Sequence, residues 1–586
     1  MRTRSPIRRL EVFLIKPTKY DDDGYVLRHA RGILPNNSSP WLFVFTMVVL
    51  RACGLPGGEF RAHLCDAALY AFPERLMCRL ARRPDTRVLA CFVGAQTNQF
   101  PRVSDLAHRY RGWGMEVLIG GFHVSGTLAM AADMPAHLQA LMDAGMTLVT
   151  GEVEETWGTI LADAASGELA PRYDTLDDKP DLATAPMPHL DERLMSKFVY
   201  RHFGTVDASR GCPFRCSFCT IINVQGRKMR VRQAQHVADA VRANFAATGT
   251  HHFFFTDDNF ARNANWREIF EQLIQLRERE GIPLRFLMQV DTLSHKIADF
   301  IPLARRAGCF QVFIGMESLD PDSLADAGKK QNRVGEFTHL IEAWRDADIL
   351  THVGYIIGFP HDTVASVRAC IDVLKNDLQV DLAAFFMLTP LPGSADHRAL
   401  VKSGTALDDD LNAYDTFHPV VDHPRMSRAE WYSLYREAWA TFYTPAHMRR
   451  QVAQRRGGQS VTLLQMYMWY KSAAVVEQFH PMMTGFLRLK PRTERRPGFP
   501  VEGRLRHWQR RLPELGRAVF GYAALLRELH EVWEAAGAPG APATGRGQLR
   551  SWGRFLSAMF GGAMPAAEPE AGPPTQVDRL GAGWTQ

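Results

Sequence analysis

Residues 10–165 alternate short apolar runs with stretches of helical period. Glu11–Ile15 reads as a buried strand ending at Lys16-Pro17, and Thr86–Val93 as another stopped by Gly94, with helical patterns between them. Asp105–Trp113 predicts a helix, Glu116–Ile119 a strand running into Gly120-Gly121, Leu138–Ala144 a helix, and Thr147–Thr150 a strand ending at Gly151-Glu152. Strands alternating with helices predict an α/β, doubly wound parallel sheet. Ligands of such sheets bind beyond the carboxyl ends of the strands. Here those ends are Gly94–Gln99, Gly120–His123 and Gly151–Glu154.

Residues 166–200 are rich in Pro, Asp and Ala and read as a linker. The alternation resumes over 201–420, with candidate strands at Thr205–Ala208, His252–Thr256, Arg285–Val290, Gln311–Gly315, His352–Ile357 and Leu382–Met387. Helical patterns such as Trp266–Glu280 and Val364–Asn376 separate them. Six β/α units predict a partial (β/α)6 barrel with its chemistry at the carboxyl ends of the strands. Residues 425–535 are helical in pattern, at Glu430–Tyr443, Val461–Gln478 and Pro513–Ala535. The Gly-, Pro- and Ala-rich stretch 536–586 predicts a largely disordered tail around one short helix at Leu549–Phe560.

The 46% hydrophobic content is that of a water-soluble globular protein, and 586 residues suffice for several domains. No signal-peptide apolar region follows the basic N-terminus, and the run Trp41–Leu50 is too short to span a bilayer, so a cytoplasmic protein is expected. The net charge of +6 is concentrated in Arg488–Arg511, where only Glu494 and Glu502 offset the Lys and Arg residues. Such a stretch attracts anionic lipid or acidic substrates, or is a solvated surface. Without aromatic interleaving or a nucleic-acid module it does not argue for nucleic acid.

The chemistry is most legible at Cys212-Pro-Phe-Arg-Cys216-Ser-Phe218-Cys219. Iron–sulfur clusters are normally held by four thiolates, so a compact set of three leaves one iron open to a small molecule. A zinc knot would need a fourth ligand at knuckle spacing, usually in a second paired motif, and none follows. A disulfide framework belongs to cysteine-dense secreted chains, whereas nine cysteines in 586 residues is sparse. The CxxxCxxC spacing with an aromatic before the last cysteine resembles the radical S-adenosylmethionine (SAM) enzymes. That resemblance implies a 4Fe-4S cluster on Cys212, Cys216 and Cys219, with SAM on the open iron beside Phe218.

Polar or glycine residues close the following barrel strands. Asp257, Asp258 and Asn259 end the second, where the resemblance implies a carboxylate for the SAM ammonium; the competing reading is a helix N-cap. Gln289 ends the third strand, and Glu317 with Ser318 the fourth. Polar residues there bind ribose hydroxyls or the methionine carboxylate, or form turns and caps. Gly354, Ile356 and Gly358 end the fifth, where glycine permits the close backbone approach that adenine packing in the family uses. Thr389–Ser394 follows the sixth, and the basic Gly226–Arg230 lies just beyond the cysteines, facing either a carboxylate of SAM or substrate or solvent. No residue is identified as catalytic.

With the α/β domain ahead of it, the chain resembles cobalamin-binding radical SAM proteins over about residues 10 to 420. The resemblance implies cobalamin at Thr97, Asn98 and Gln99, at Gly120, Gly121 and His123, and at Gly151 and Glu152. The Asp-x-His-x-x-Gly signature of histidine-on cobalamin proteins is absent, so His123 reads as structural rather than as a cobalt ligand. The family implies methylation of an unactivated carbon through a 5′-deoxyadenosyl radical and methylcobalamin. It also implies an electron donor such as flavodoxin or ferredoxin. The substrate expected is a small molecule, lipid-like or tetrapyrrole. Aromatic and Met-rich Leu464–Tyr470 beside the basic stretch suggests peripheral membrane contact, although most such stripes are core. Competing readings are a radical SAM cyclase or oxidase without net methyl transfer, as in anaerobic tetrapyrrole ring closure, and a non-catalytic cobalamin or cluster sensor. A methylthiotransferase is disfavoured by the lack of further cluster cysteines in the N-terminal domain and of an RNA-binding module.

Overall fold

The computed structural model describes residues 7–33, 59–69, 71–187, 192–483, 485–539, 541 and 548–560. Trp41–Leu50 and most of the predicted tail lie outside the described residues.

Seven strands come first: β1 (Arg9–Lys16), β2 (Arg28–Gly32), β3 (Glu59–Asp66), β4 (Thr86–Phe92), β5 (Glu116–Gly120), β6 (Thr147–Gly151) and β7 (Arg172–Thr175). All but β2 form one sheet in the order β3-β1-β4-β5-β6-β7, every neighbour parallel. Alternate residues of β1 serve opposite cores. Leu10, Val12 and Leu14 pack with Trp157 and Ile160, and Phe13 and Ile15 with Leu106 and Tyr110. Burial on both faces is what makes parallel strands read as continuous apolar runs. Two edge strands depart from expectation. β3 falls where helical patterns were expected, and β7 lies inside the predicted linker.

β8 (Phe203–Val206) opens the second unit, followed by the short antiparallel pair β9 (Ser209–Arg210) and β10 (Arg230–Val231) that brackets the cysteines. Then come β11 (His252–Phe255), β12 (Arg285–Val290), β13 (Cys309–Glu317), β14 (Leu350–Ile357) and β15 (Leu382–Met387). With β8 they make a parallel sheet in the order β15-β14-β13-β12-β11-β8, the predicted six-stranded partial barrel.

The C-terminal helices share the barrel's core. Trp431, Leu434 and Tyr467 are buried against the barrel strands, and the Tyr443 hydroxyl donates to the Ala383 carbonyl at 2.7 Å. Leu464, Met466, Tyr467 and Tyr470 are buried in this core, so the aromatic stripe is packing rather than a membrane face. The first part of the basic stretch, with Arg511, is likewise folded inward. Arg488 pairs with Asp21, Lys490 with Asp23 at 2.9 Å, Arg496 with Asp410 at 2.6 Å, and Arg511 with Glu514 at 3.0 Å. β16 (Gly485–Leu489) adds antiparallel to β2, tying the C-terminal region back to the first residues of the chain.

Candidate active site between two sets of strand ends

Cys212, Cys216 and Cys219 lie on the loop leaving β9, and Cys219 N–H donates to the Cys216 carbonyl at 3.2 Å. Burial raises all three thiols, Cys219 to about 12, and each of the outer two feels the charge of Cys216. Iron binding reverses that shift, because a coordinated thiol is deprotonated. Among the described residues no three His, Cys, Asp or Glu side chains converge on a single ion position. Gln331 Nε2 donates to Cys216 Sγ at 3.9 Å from the segment that follows the short helix Pro321–Asp326.

The neighbouring acids divide their work. Asp257 is fully buried and accepts from Ala208 N–H at 2.9 Å and from the Ser209 hydroxyl, joining β11 to the cysteine loop. Burial, only partly offset by those donors, pushes it up to about 7. Asp258 faces the other way and lines a cavity, close enough to Cys212 and Cys219 to affect both. Burial, then the charge of Asp257, pushes Asp258 up to about 7. A cationic ligand would relieve both effects, and of the two aspartates it is Asp258 that faces the cavity. Asn259 is bonded to Asp291 at 2.9 Å and Gln289 to the Asp257 carbonyl at 3.0 Å; both brace the strand ends.

Glu317 has φ +66°, in the left-handed region that non-glycine residues seldom occupy. Its carboxylate pairs with Lys329, which also donates to the Gly315 carbonyl at 3.1 Å. Ser318 accepts from Asp320 N–H at 3.0 Å, a turn bond rather than a free hydroxyl. Ile356, Phe359 and Ala327 form a small apolar cluster against Phe218, Phe386 and Leu388. A Cβ on Gly354 would lie 2.8 Å from Phe313. Gly358, at φ +111°, lies under Trp431, where a Cβ would come within 2.1 Å of the indole. The fourth and fifth strand ends therefore supply one ion pair and one flat apolar patch beside the cysteine loop.

The cavity that Asp258 lines has a volume of about 380 Å³ and is bounded by both parallel sheets. Gly94, Gly120, Gly121, Gly151 and Glu152 close it at the ends of β4, β5 and β6; Ser209, Arg210, Thr256 and Asp258 close it from the barrel. Gly121 has φ +130°, and a Cβ there would lie 2.1 Å from Ala95 N. These glycines, with the apolar Leu118, Val149 and Trp157, leave an apolar-walled space at the strand ends. The residues therefore fit part of a corrinoid.

The other expected cobalamin residues do not line this cavity. Thr97 bonds to His123 Nδ1 at 3.2 Å, and Asn98 Nδ2 reaches Met483 Sδ at 3.7 Å. Gln99 closes a capping turn on Gln96. His123 is buried, its Nε2 3.2 Å from His137 Nε2, and burial holds its pKa well below the ordinary value. It is a packed structural histidine. Sequence reasoning missed the lining residues Leu118 and Trp157, whose apolar character is also that of any core strand or helix.

Residues 206–374 match the Radical SAM superfamily. The chain is 27% identical over 350 residues to a bacteriochlorophyllide d C-8(2)-methyltransferase of Chlorobaculum tepidum, covering 57% of this chain and 73% of that one. It is 22% identical over 325 residues to a hopanoid C-2 methylase of Rhodopseudomonas palustris, covering 55% and 59%. Among solved structures, OxsB, a cobalamin-dependent S-adenosylmethionine radical enzyme with aqua-cobalamin bound, superposes with a TM-score of 0.53 at 13% identity, over 94% of this chain and 84% of that one. The cysteine loop at the mouth of a six-stranded partial barrel and the domain match agree: residues 206–374 carry a radical SAM domain, and the chain as a whole has the fold seen in the cobalamin-dependent enzyme OxsB.

Proposed function

We propose that the protein is a cobalamin-dependent radical SAM enzyme that methylates an unactivated carbon of a small molecule. The observation that carries this reading is the shared cavity. Glycine-rich strand ends of one parallel sheet face Asp258 and the residues on either side of the cysteine loop, Arg210 and Ile221, across a single space. When bound, the cluster and SAM supply a carbon-centred radical, and cobalamin supplies a transferable methyl group.

The chain's own residues bind, orient and shield. Cys212, Cys216 and Cys219 would hold the cluster. Asp258 accepts the SAM ammonium, and Lys329, beside Glu317, offers a cation to its carboxylate. Phe218, Ile356 and Phe359 give the adenine an apolar face. Gly94, Gly120, Gly121 and Gly151 would border the corrinoid, while Leu118, Val149 and Trp157 would shield it from water. The substrate class proposed is a tetrapyrrole, as the name of the Chlorobaculum tepidum relative supports, with a lipid-like molecule as the competitor. A flavodoxin or ferredoxin supplies electrons, and the protein works in the cytoplasm.

The test is an anaerobic incubation of reconstituted protein with reductant, methyl-labelled SAM and a bacteriochlorophyllide. Label in the tetrapyrrole together with 5′-deoxyadenosine is expected. 5′-Deoxyadenosine with an altered but unlabelled tetrapyrrole would replace methyl transfer by cyclase or oxidase chemistry. No 5′-deoxyadenosine under any reductant would sink the enzyme reading in favour of a sensor.

A further inference from the structure

The basic C-terminal stretch spends most of its charge on the chain's own acids, yet the helix that follows leaves a different surface open. Arg504–Ala535 is one helix. His507, Leu525, Leu529 and Trp533 bury one side of it. On the other side Leu505 (74% exposed), Trp508 (52%), Leu512 (61%), Val519 (62%) and Phe520 (78%) recur at spacings of three, four, seven and one. That spacing places all five on one stripe of an α-helix. Scattered exposed apolar residues are ordinary on a protein surface, but five large ones in a row on a single helix are not.

Charge decides what covers the stripe. Arg504, Arg506 and Arg517 flank it, exposed and without an ion pair among the described residues. The acids of the same half are occupied. Glu502 faces Arg510 at 3.5 Å, and Glu514 faces Lys490 at 3.1 Å and Arg511 at 3.0 Å. The open face is thus apolar at its centre and positive at both margins. A second copy of the same face would oppose arginine to arginine, whereas anionic headgroups would neutralise the margins as acyl chains received the stripe. Among the described residues no helix is long and apolar enough to cross a membrane.

We propose that the first half of this helix, Arg504 to Phe520, lies flat in the surface of an anionic bilayer with Trp508 and Phe520 below the headgroups. The helix then docks the protein beside a pool of amphiphilic molecules. This attachment is independent of the cofactors and of the reaction.

The test is co-sedimentation of the full chain with phosphatidylcholine–phosphatidylglycerol vesicles and with phosphatidylcholine alone. Binding to the anionic vesicles only, weakened by salt, is expected. The double variant Leu505→Ser/Phe520→Ser should lower the partition coefficient by about tenfold or more. The triple variant Arg504→Gln/Arg506→Gln/Arg517→Gln should abolish the preference for anionic lipid. Circular dichroism of both variants should match the parent, because the altered side chains are exposed. Absence of binding, or binding that neither set changes, overturns the proposal. So does a concentration-dependent dimer that the double variant dissolves in the absence of lipid, which would assign the stripe to a second copy.

Discussion

Arg210, two residues before the first cluster cysteine, donates to Glu152 at the end of β6 at 2.5 Å. The same guanidinium reaches Glu154 and bonds Asp207 at 3.0 Å, while Arg230 completes the ion-pair set on Glu152. Burial disfavours the Glu152 charge, but Arg230 and Arg210 outweigh it and hold the carboxyl below its ordinary value. These pairs join the two domains at the wall of the shared cavity. Arg210→Met should destabilise the protein by about 3 kcal/mol or more, because it strands carboxylates that are largely out of water. Chemical denaturation checks the loss, and corrinoid retention on desalting should fall with it.

The paired aspartates should respond differently to the same change. Asp258→Asn should weaken SAM binding by about tenfold or more while lowering the unfolding midpoint less than Asp257→Asn, since the Gly211 backbone donor that Asp258 faces can still give to the amide oxygen. Asp257→Asn should lower the midpoint, because Ala208 N–H and the Ser209 hydroxyl donate to different carboxyl oxygens and an amide offers only one oxygen to accept. Equilibrium dialysis with SAM and thermal unfolding, run on both variants, separate the roles. Equal losses of affinity would refute the division.

Gly358 carries the turn beneath Trp431, whose indole N–H donates to the Ile357 carbonyl at 3.0 Å. Gly358→Ala combines an unfavourable backbone angle with a collision against the indole ring. It should cost about 2 kcal/mol or more and displace the apolar patch around Ile356 and Phe359. The measurements are unfolding stability and SAM affinity, and both should fall.

His418 makes stability depend on pH. Burial disfavours its imidazolium, but Asp22 at 3.5 Å and Asp415 at 2.9 Å outweigh burial and raise it to about 9. A folded pKa above the unfolded one gives stability that is complete below the ordinary histidine pKa, about 6.5, and is lost as pH rises through about 9. The thermal midpoint of the parent should therefore exceed that of His418→Gln at pH 6, with the gap closing by pH 9.5. A gap that widens with pH would contradict the pairing.

The barrel was legible because its strands are buried on both sides. Arg285–Val290 and Leu382–Met387 appear in the structure with the bounds their apolar runs predict. The edge strands were not. β3 alternates Phe60, Ala62 and Leu64 with Arg61 and His63, and β7 has four residues within a Pro- and Asp-rich segment. Which of two adjacent aspartates faces the cavity depends on how β11 meets the cysteine loop, and the dipeptide carries no sign of it. The pairing of Arg488 and Lys490 within the basic stretch was hidden for a related reason. The partners Asp21 and Asp23 lie 467 residues away from Arg488 and Lys490, so only folding shows that the charges are spent.

The central claim is that one space between two sets of strand ends takes a corrinoid beside the cluster. Its most direct test is the absorbance spectrum and cobalt content of anaerobically reconstituted protein, offered hydroxocobalamin and then desalted. The parent should keep stoichiometric cobalamin and a cluster. Cys216→Ala should lose the cluster, and Gly120→Val, which drives a side chain toward the Val149 carbonyl at the cavity wall, should lose cobalamin while keeping the cluster. A parent that keeps its cluster but no cobalamin would contradict the account and leave an ordinary radical SAM enzyme with an N-terminal substrate domain.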